Sequence, residues 1–203
     1  MTRRLHLQSG VITISYIEAK IDLNSEFMEL NELHKDCAKR QKKGLHFIMA
    51  SVIIWGLILA VHLTQLDIET KNLITFCCSA LLFPLAWGFS KALRIDFEGK
   101  GNPLTKAGIM FSFNQMLYIL IAMWVFAAVP DKMLMVYAMI FGAHLMPFSW
   151  LYQSKSYLVL SIVIPILSLV IGVFFPPFVL AGFMVAIELL FSFCLHMECK
   201  TLQ

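Results

Sequence analysis

Charge is what this 203-residue chain has least of. Asp, Glu, Lys and Arg together make up 14% of it, against roughly 25% in soluble globular domains. That shortage excludes an ordinary soluble domain and a disordered chain. Cysteine is sparse at five residues, which excludes a small fold stapled by disulfides. The chain has no GxxxxGK[ST], GxGxxG, GxSxG or HExxH element, so no phosphate cradle, nucleophile elbow or zinc helix is legible. No nucleophile–base pair or ligand cluster replaces them, so an enzymatic reading ranks last and no cofactor is implied. Cys194-x-His196-x-x-Cys199 has metal-ligand residue types. Its two thiols fall on different helix faces, and no second cluster completes four ligands. The first 44 residues lack a continuous apolar core, so no cleaved signal peptide is expected.

What is abundant is apolar: 59% of residues are hydrophobic and the mean hydropathy is +0.77. A helix needs about 20 apolar residues to cross a hydrocarbon core. Six runs meet that length: Leu45–Thr64, Leu73–Leu93, Ile109–Val129, Met133–Tyr152, Tyr157–Phe174 and Phe178–Met197. Runs this long exclude soluble core helices, which would show a polar face. The expected fold is therefore all-α: a polytopic membrane protein of six transmembrane helices in a domain spanning 45–203.

Lys and Arg are distributed unevenly around those runs. With the N-terminus inside, fourteen of the sixteen fall in inner segments, leaving only Lys71 and Lys132 outside. By the positive-inside rule both termini and the Lys91–Gly108 loop are expected to be cytoplasmic. Basic residues thus lie beside a membrane and not on a folded soluble domain, so nucleic-acid binding is not expected.

Residues 1–21 alternate loosely and have no companion strand, so they read as a poorly ordered extension. Residues 22–44 read as a juxtamembrane segment, amphipathic and helical through 43, with Leu23, Phe27, Leu30, Leu33 and Cys37 on one face. Its start is acidic and its last turn basic, an order that suits the helix dipole. Lys39, Arg40, Lys42 and Lys43 are expected at anionic lipid headgroups. Met28 opens the helical pattern directly, so residues 1–27 also read as a tag, an extension or a mis-called start.

Pro84, Pro147 and Pro165 lie inside their runs, where each removes a backbone donor and kinks or breaks a helix. Asn102-Pro103 signals the start of the third membrane helix. His46 and His62 sit near the ends of the first run, where water is expected to reach them.

The chemically informative residues are polar groups at depth. Glu188 lies eleven residues from Pro177 and nine from Met197, close to mid-bilayer, where a carboxyl needs protonation or a partner. His144 comes out at nearly the same depth, and Asn114 and Gln115 slightly nearer the inner face. A polar layer of Glu188, His144, Asn114 and Gln115 is the candidate site for a substrate or a proton. A Glu–His pair carrying one proton suits such a relay. Ala138, Gly142 and Ala143 beside His144 would admit a closely packed helix. Glu188 and His144 are therefore expected to be neighbours across spans six and four.

Gly142-Ala143-His144-Leu145-Met146-Pro147 through Trp150-Leu151-Tyr152 resembles a family of small bacterial membrane proteins catalogued only as a domain of unknown function. So do Lys43-Gly44-Leu45-His46-Phe47-Ile48 leading into Trp55, and Asn102-Pro103-Leu104. The likeness covers about Met28 to Met197 and brings no activity or site residue with it. It implies a multi-pass protein of a bacterial cytoplasmic membrane. Six short-looped helices make a small bundle, so a homo-oligomer is expected. Transport or sensing of a small solute or proton is the leading functional expectation. The alternative is a non-transporting scaffold or regulatory subunit that docks a partner through its N-terminal helix.

Overall fold

The computed structural model describes residues 29–96 and 101–202. The expected extension over residues 1–21, the Met28 start and residues 22–28 of the juxtamembrane helix lie outside those residues. Helix α1 covers residues 29–40. A 3₁₀ turn, Lys42–Gly44, leads into α2 (Leu45–His62). Then follow α3 (Ile68–Ser79), α4 (Leu82–Ala92), α5 (Leu104–Ala128), α6 (Met133–Ala143), α7 (Met146–Leu151), α8 (Lys155–Phe174) and α9 (Pro177–Lys200). There is no strand among the described residues.

Six stretches are long and apolar enough to cross a membrane, with α3–α4 forming the second and α6–α7 the fourth. The second starts earlier than hydropathy suggests. Glu69, Thr70, Lys71 and Asn72 are polar, yet Asp67 caps the helix by accepting from the Thr70 N–H at 2.7 Å. Such a cap satisfies an end donor that no apolar count registers.

Two prolines break their spans upstream of themselves. A proline cannot donate to the carbonyl four residues back, and its ring crowds that carbonyl. Pro84 therefore breaks the second span at Ala80–Leu81, and Pro147 breaks the fourth at His144–Leu145. Pro165 stays inside an unbroken α8.

The bundle is built on two helix pairs, α2 with α9 and α6 with α8, while α5 flanks α6 and α7. Glycine sets the approach of α6 to α8. A Cβ on Gly142 would fall 2.6 Å from Pro165 Cδ and 2.7 Å from Ile164 Cγ2, and one on Gly172 would strike Met135 Cγ. Of the small residues near His144, Gly142 thus receives α8. An even number of spans returns the chain to its starting face, where His34 Nδ1 lies 2.9 Å from the Leu151 carbonyl oxygen. We call this the basic face. In α1 the buried side chains are His34, Cys37 and Ala38, whereas Leu30 is exposed. The buried stripe is thus rotated from the predicted one.

Candidate functional site

Glu188 sits at the middle of α9, eleven residues from Pro177 and twelve from Lys200, and is fully buried. Opposite it on α2 is Ser51, the lone hydroxyl of that helix. Ser51 Oγ donates to Glu188 Oε2 and also lies 2.7 Å from the Ile48 carbonyl oxygen. The hydroxyl has one proton, so it serves one acceptor at a time. Glu188 Oε1 is buried with no hydrogen-bond partner, and so is Ser192 Oγ one turn along α9. Buried polar atoms are almost always satisfied, so two orphans on adjacent turns mark this stretch as unusual.

Glu188 and His144, expected as neighbours, share no hydrogen bond among the described residues. His144 stands at the break that Pro147 imposes, and its Nδ1 bonds the Phe141 carbonyl of its own turn. Its ring lies between those of Phe141 and Phe148, with centroids 5.3 and 6.0 Å away. Asn114 is exposed on α5, where its Nδ2 donates to Tyr118 Oη at 3.0 Å. Gln115 beside it is half-buried. Four residues at similar depth are therefore not wired into one layer, because depth does not decide which helix faces which. No bond links them among the described residues.

Sequence reading missed Ser51 and a second polar cluster at the basic face. There Lys43 Nζ donates to Glu198 Oε2 at 2.7 Å. Ser154 Oγ reaches the same oxygen at 2.7 Å, and the Ser156 amide and hydroxyl reach Oε1 at 3.0 and 2.6 Å. Lys43 is buried, so its charge is committed inside the protein and not to a headgroup. The backbone there is strained: Lys42, Lys43 and Gly44 all have positive φ, at 44°, 51° and 71°. Left-handed geometry costs a non-glycine residue roughly 1–2 kcal/mol. Side-chain bonds hold it in place, with Lys42 Nζ donating to the Leu93 carbonyl at 2.8 Å and Tyr157 Oη to the Lys43 carbonyl at 2.9 Å.

Nearby, Asn102 joins the start of α5 to α1. Its amide donates to the Leu33 carbonyl and to Asp36 Oδ2, both at 2.9 Å. The Asn102 bond, helped by Arg40, holds the Asp36 carboxyl below its ordinary range. Burial pushes the neighbouring Cys37 thiol up to about 11, which makes it unreactive at neutral pH.

On the opposite face the two lone cations are also tied down. Lys71 Nζ lies 3.5 Å from the His62 carbonyl and Lys132 Nζ 2.9 Å from that of Gly172. His62 is buried, with Nε2 3.4 Å from Thr75 Oγ1, and His46 is buried as well. Neighbouring helices cover both ends of α2, so water does not reach these rings as expected.

A cavity of about 220 Å³ opens at the basic face, lined among others by Lys39, Lys42, His196 and Lys200. A larger groove of about 690 Å³ runs between α2, α4, α5 and α7 past Phe47, Phe83, Phe113 and Tyr152. A third, of about 160 Å³, lies at the opposite face beside Lys132. Glu188 lines none of the three.

A family model matches residues 30–198, from α1 to the last turn of α9. The chain belongs to DUF7010, a family of unknown function. No curated protein and no solved structure matches the chain. The DUF7010 match takes in Ser51, Glu188, Lys43 and Glu198 together, so both polar clusters belong to the matched region.

Proposed function

We propose that this protein moves or senses a proton, or a small solute coupled to one, through Glu188. The observation that carries this is the half-satisfied carboxyl: Ser51 serves Oε2 and nothing serves Oε1. Ionised, the group lacks a donor at Oε1; protonated at Oε1, it lacks an acceptor there. Protonated at Oε2, it donates to Ser51 Oγ, which then serves the Ile48 carbonyl, and Oε1 alone stays unserved. Each state leaves Oε1 without a partner, an arrangement that suits a group trading a proton or receiving a passing ligand.

The access we infer is from the basic face. Glu188, Ser192, His196 and Lys200 follow one another at intervals of four along α9, neighbours on successive turns. The last two line the basic-face cavity. His196 is about 12 Å from Glu188 at ~1.5 Å per residue, and Ser192 Oγ lies between them as a hydroxyl without a partner. We place the protein in a bacterial cytoplasmic membrane with the basic face inside. Lys39, Arg40 and Lys42 would meet anionic headgroups there, with Arg40 also paired to Asp36.

The Ser51–Glu188 bond also favours a second reading, because it bridges two closely packed helices away from the three cavities. On that reading the carboxyl only fastens the bundle of a scaffold. Proton flux into vesicles reconstituted with the protein separates the two. The proposal expects flux that Glu188→Gln abolishes while the variant stays folded and inserted. Equal flux with and without Glu188, or none from the native chain under any imposed gradient, favours the scaffold.

A further inference from the structure

Helix α5 is the least covered of the six spans, packing mainly against α6 and α7, with Phe126 also meeting Phe76 of α3. Its open side carries Met110, Asn114, Leu117, Ile121 and Trp124, all exposed, Met110, Leu117 and Trp124 at 64–69%. Those positions are spaced four, three, four and three. Alternation of that kind keeps a stripe straight along a left-handed helix pair, and it puts Asn114 in the seam.

Apolar side chains facing hydrocarbon need no explanation, but an amide does. Asn114 lies ten residues into a 25-residue helix, well away from either end. Its one hydrogen bond among the described residues runs from Nδ2 to Tyr118 Oη on its own helix. One N–H and the carbonyl oxygen are left facing lipid, where no water can serve them.

We propose that α5 is the interface between two copies of this chain, paired in parallel with the two Asn114 amides bonded across a two-fold axis. The argument for a second copy is symmetry. Copies inserted in one orientation run their α5 helices parallel and hold Asn114 at the same depth. An amide is donor and acceptor at once, so it complements its own twin. An anionic or cationic partner would be answered by a charge, and the stripe has none. A lone Asn in an otherwise apolar seam also fixes register and stoichiometry. The large groove lies on the adjoining side of α5, through Gly108, Ile109, Ser112, Phe113 and Met116, so Phe113 borders both the groove and the stripe. This inference stands whatever Glu188 does.

The test is cysteine scanning along α5 in membranes, in a full-length chain with its five native cysteines replaced. Cross-linking is expected to peak at 110, 114, 117 and 121, to fall at 112, 115 and 119, and to give a product of twice 23.1 kDa. In the native background, Asn114→Leu is expected to weaken dimerisation in vesicles by about 5- to 30-fold, and Asn114→Gln to retain most of it. Asn114 is exposed, so neither change should disturb the bundle itself. No cross-link, maxima on another face, a product of any other mass, or an Asn114→Leu chain that dimerises like the native one would each overturn the proposal.

Discussion

Ser51 on α2 and Glu188 on α9, 137 residues apart in sequence, share a hydrogen bond at the centre of the bundle. Each lies near the middle of its span: Ser51 is nine residues from Lys42 and eleven from His62. The bond joins two antiparallel helices near their midpoints, and it occupies only one carboxyl oxygen.

The two oxygens make separable predictions. Ser51→Ala should strip the served oxygen of its donor and lower thermal stability in detergent by about 1 kcal/mol. Glu188→Gln keeps the shape and an acceptor for Ser51, so it should unfold close to the native temperature. Glu188→Leu should cost about 1 kcal/mol through the lost interhelical bond. Thermal scans of the three variants check this ordering, and a Gln variant less stable than the Leu variant would be inconsistent with it.

Gly142 is where α6 and α8 touch, since any Cβ there meets Ile164 and Pro165. Gly142→Ala should therefore destabilise the bundle by roughly 1–3 kcal/mol through overpacking. Gly56 is also helical but has open space around its missing Cβ. Gly56→Ala should be neutral or slightly stabilising, because alanine is the better helix former. Unfolding temperatures of the two variants, measured side by side, test the contrast.

Removing Lys43 leaves Glu198 without its counter-charge but with its serine donors. Lys43→Met should cost about 3 kcal/mol, the lower end for breaking a buried pair. Glu198→Gln in the Lys43→Met background should recover part of that loss. A double-mutant cycle yields the coupling, and strict additivity would show that the two side chains do not interact in solution.

The spans were legible in the sequence because hydropathy over 20 residues is a strong signal, and Glu188 was legible as an ionisable residue inside one. The helix breaks were half legible. Pro84 and Pro147 announce them, but the disruption lands at the carbonyl four residues earlier, and that displacement puts His144 at a break. Partners were the hidden part. Depth can be counted along each helix, yet it cannot say that α9 packs on α2 or that α8 fills the groove at Gly142. Ser51 was the available hint, as the lone mid-span hydroxyl of α2. Lys43 and Glu198 gave none, since both read as ordinary residues at a membrane boundary.

Acid should loosen α1. The Asn102 amide, with Arg40, holds the Asp36 carboxyl below its ordinary value of 3.8. A carboxylate with a lowered folded-state value contributes stability above its unfolded value and loses it as pH falls through the folded one. Amide exchange in residues 29–40 should therefore be slow at neutral pH and accelerate as pH drops below 3.8, after correction for intrinsic rates. Asp36→Asn should remove that dependence. The side chain is 41% exposed, so salt should weaken the effect.

The central claim is that Glu188 trades a proton with the basic face. Infrared difference spectroscopy of the reconstituted protein, recorded across a pH step on that face, reads it most directly. The account predicts a carboxylic-acid carbonyl band that comes and goes with pH, is missing from Glu188→Gln, and shifts when Ser51→Ala removes the donor at Oε2. A spectrum in which no carboxyl band responds to pH, or in which the responding band survives Glu188→Gln, would contradict it.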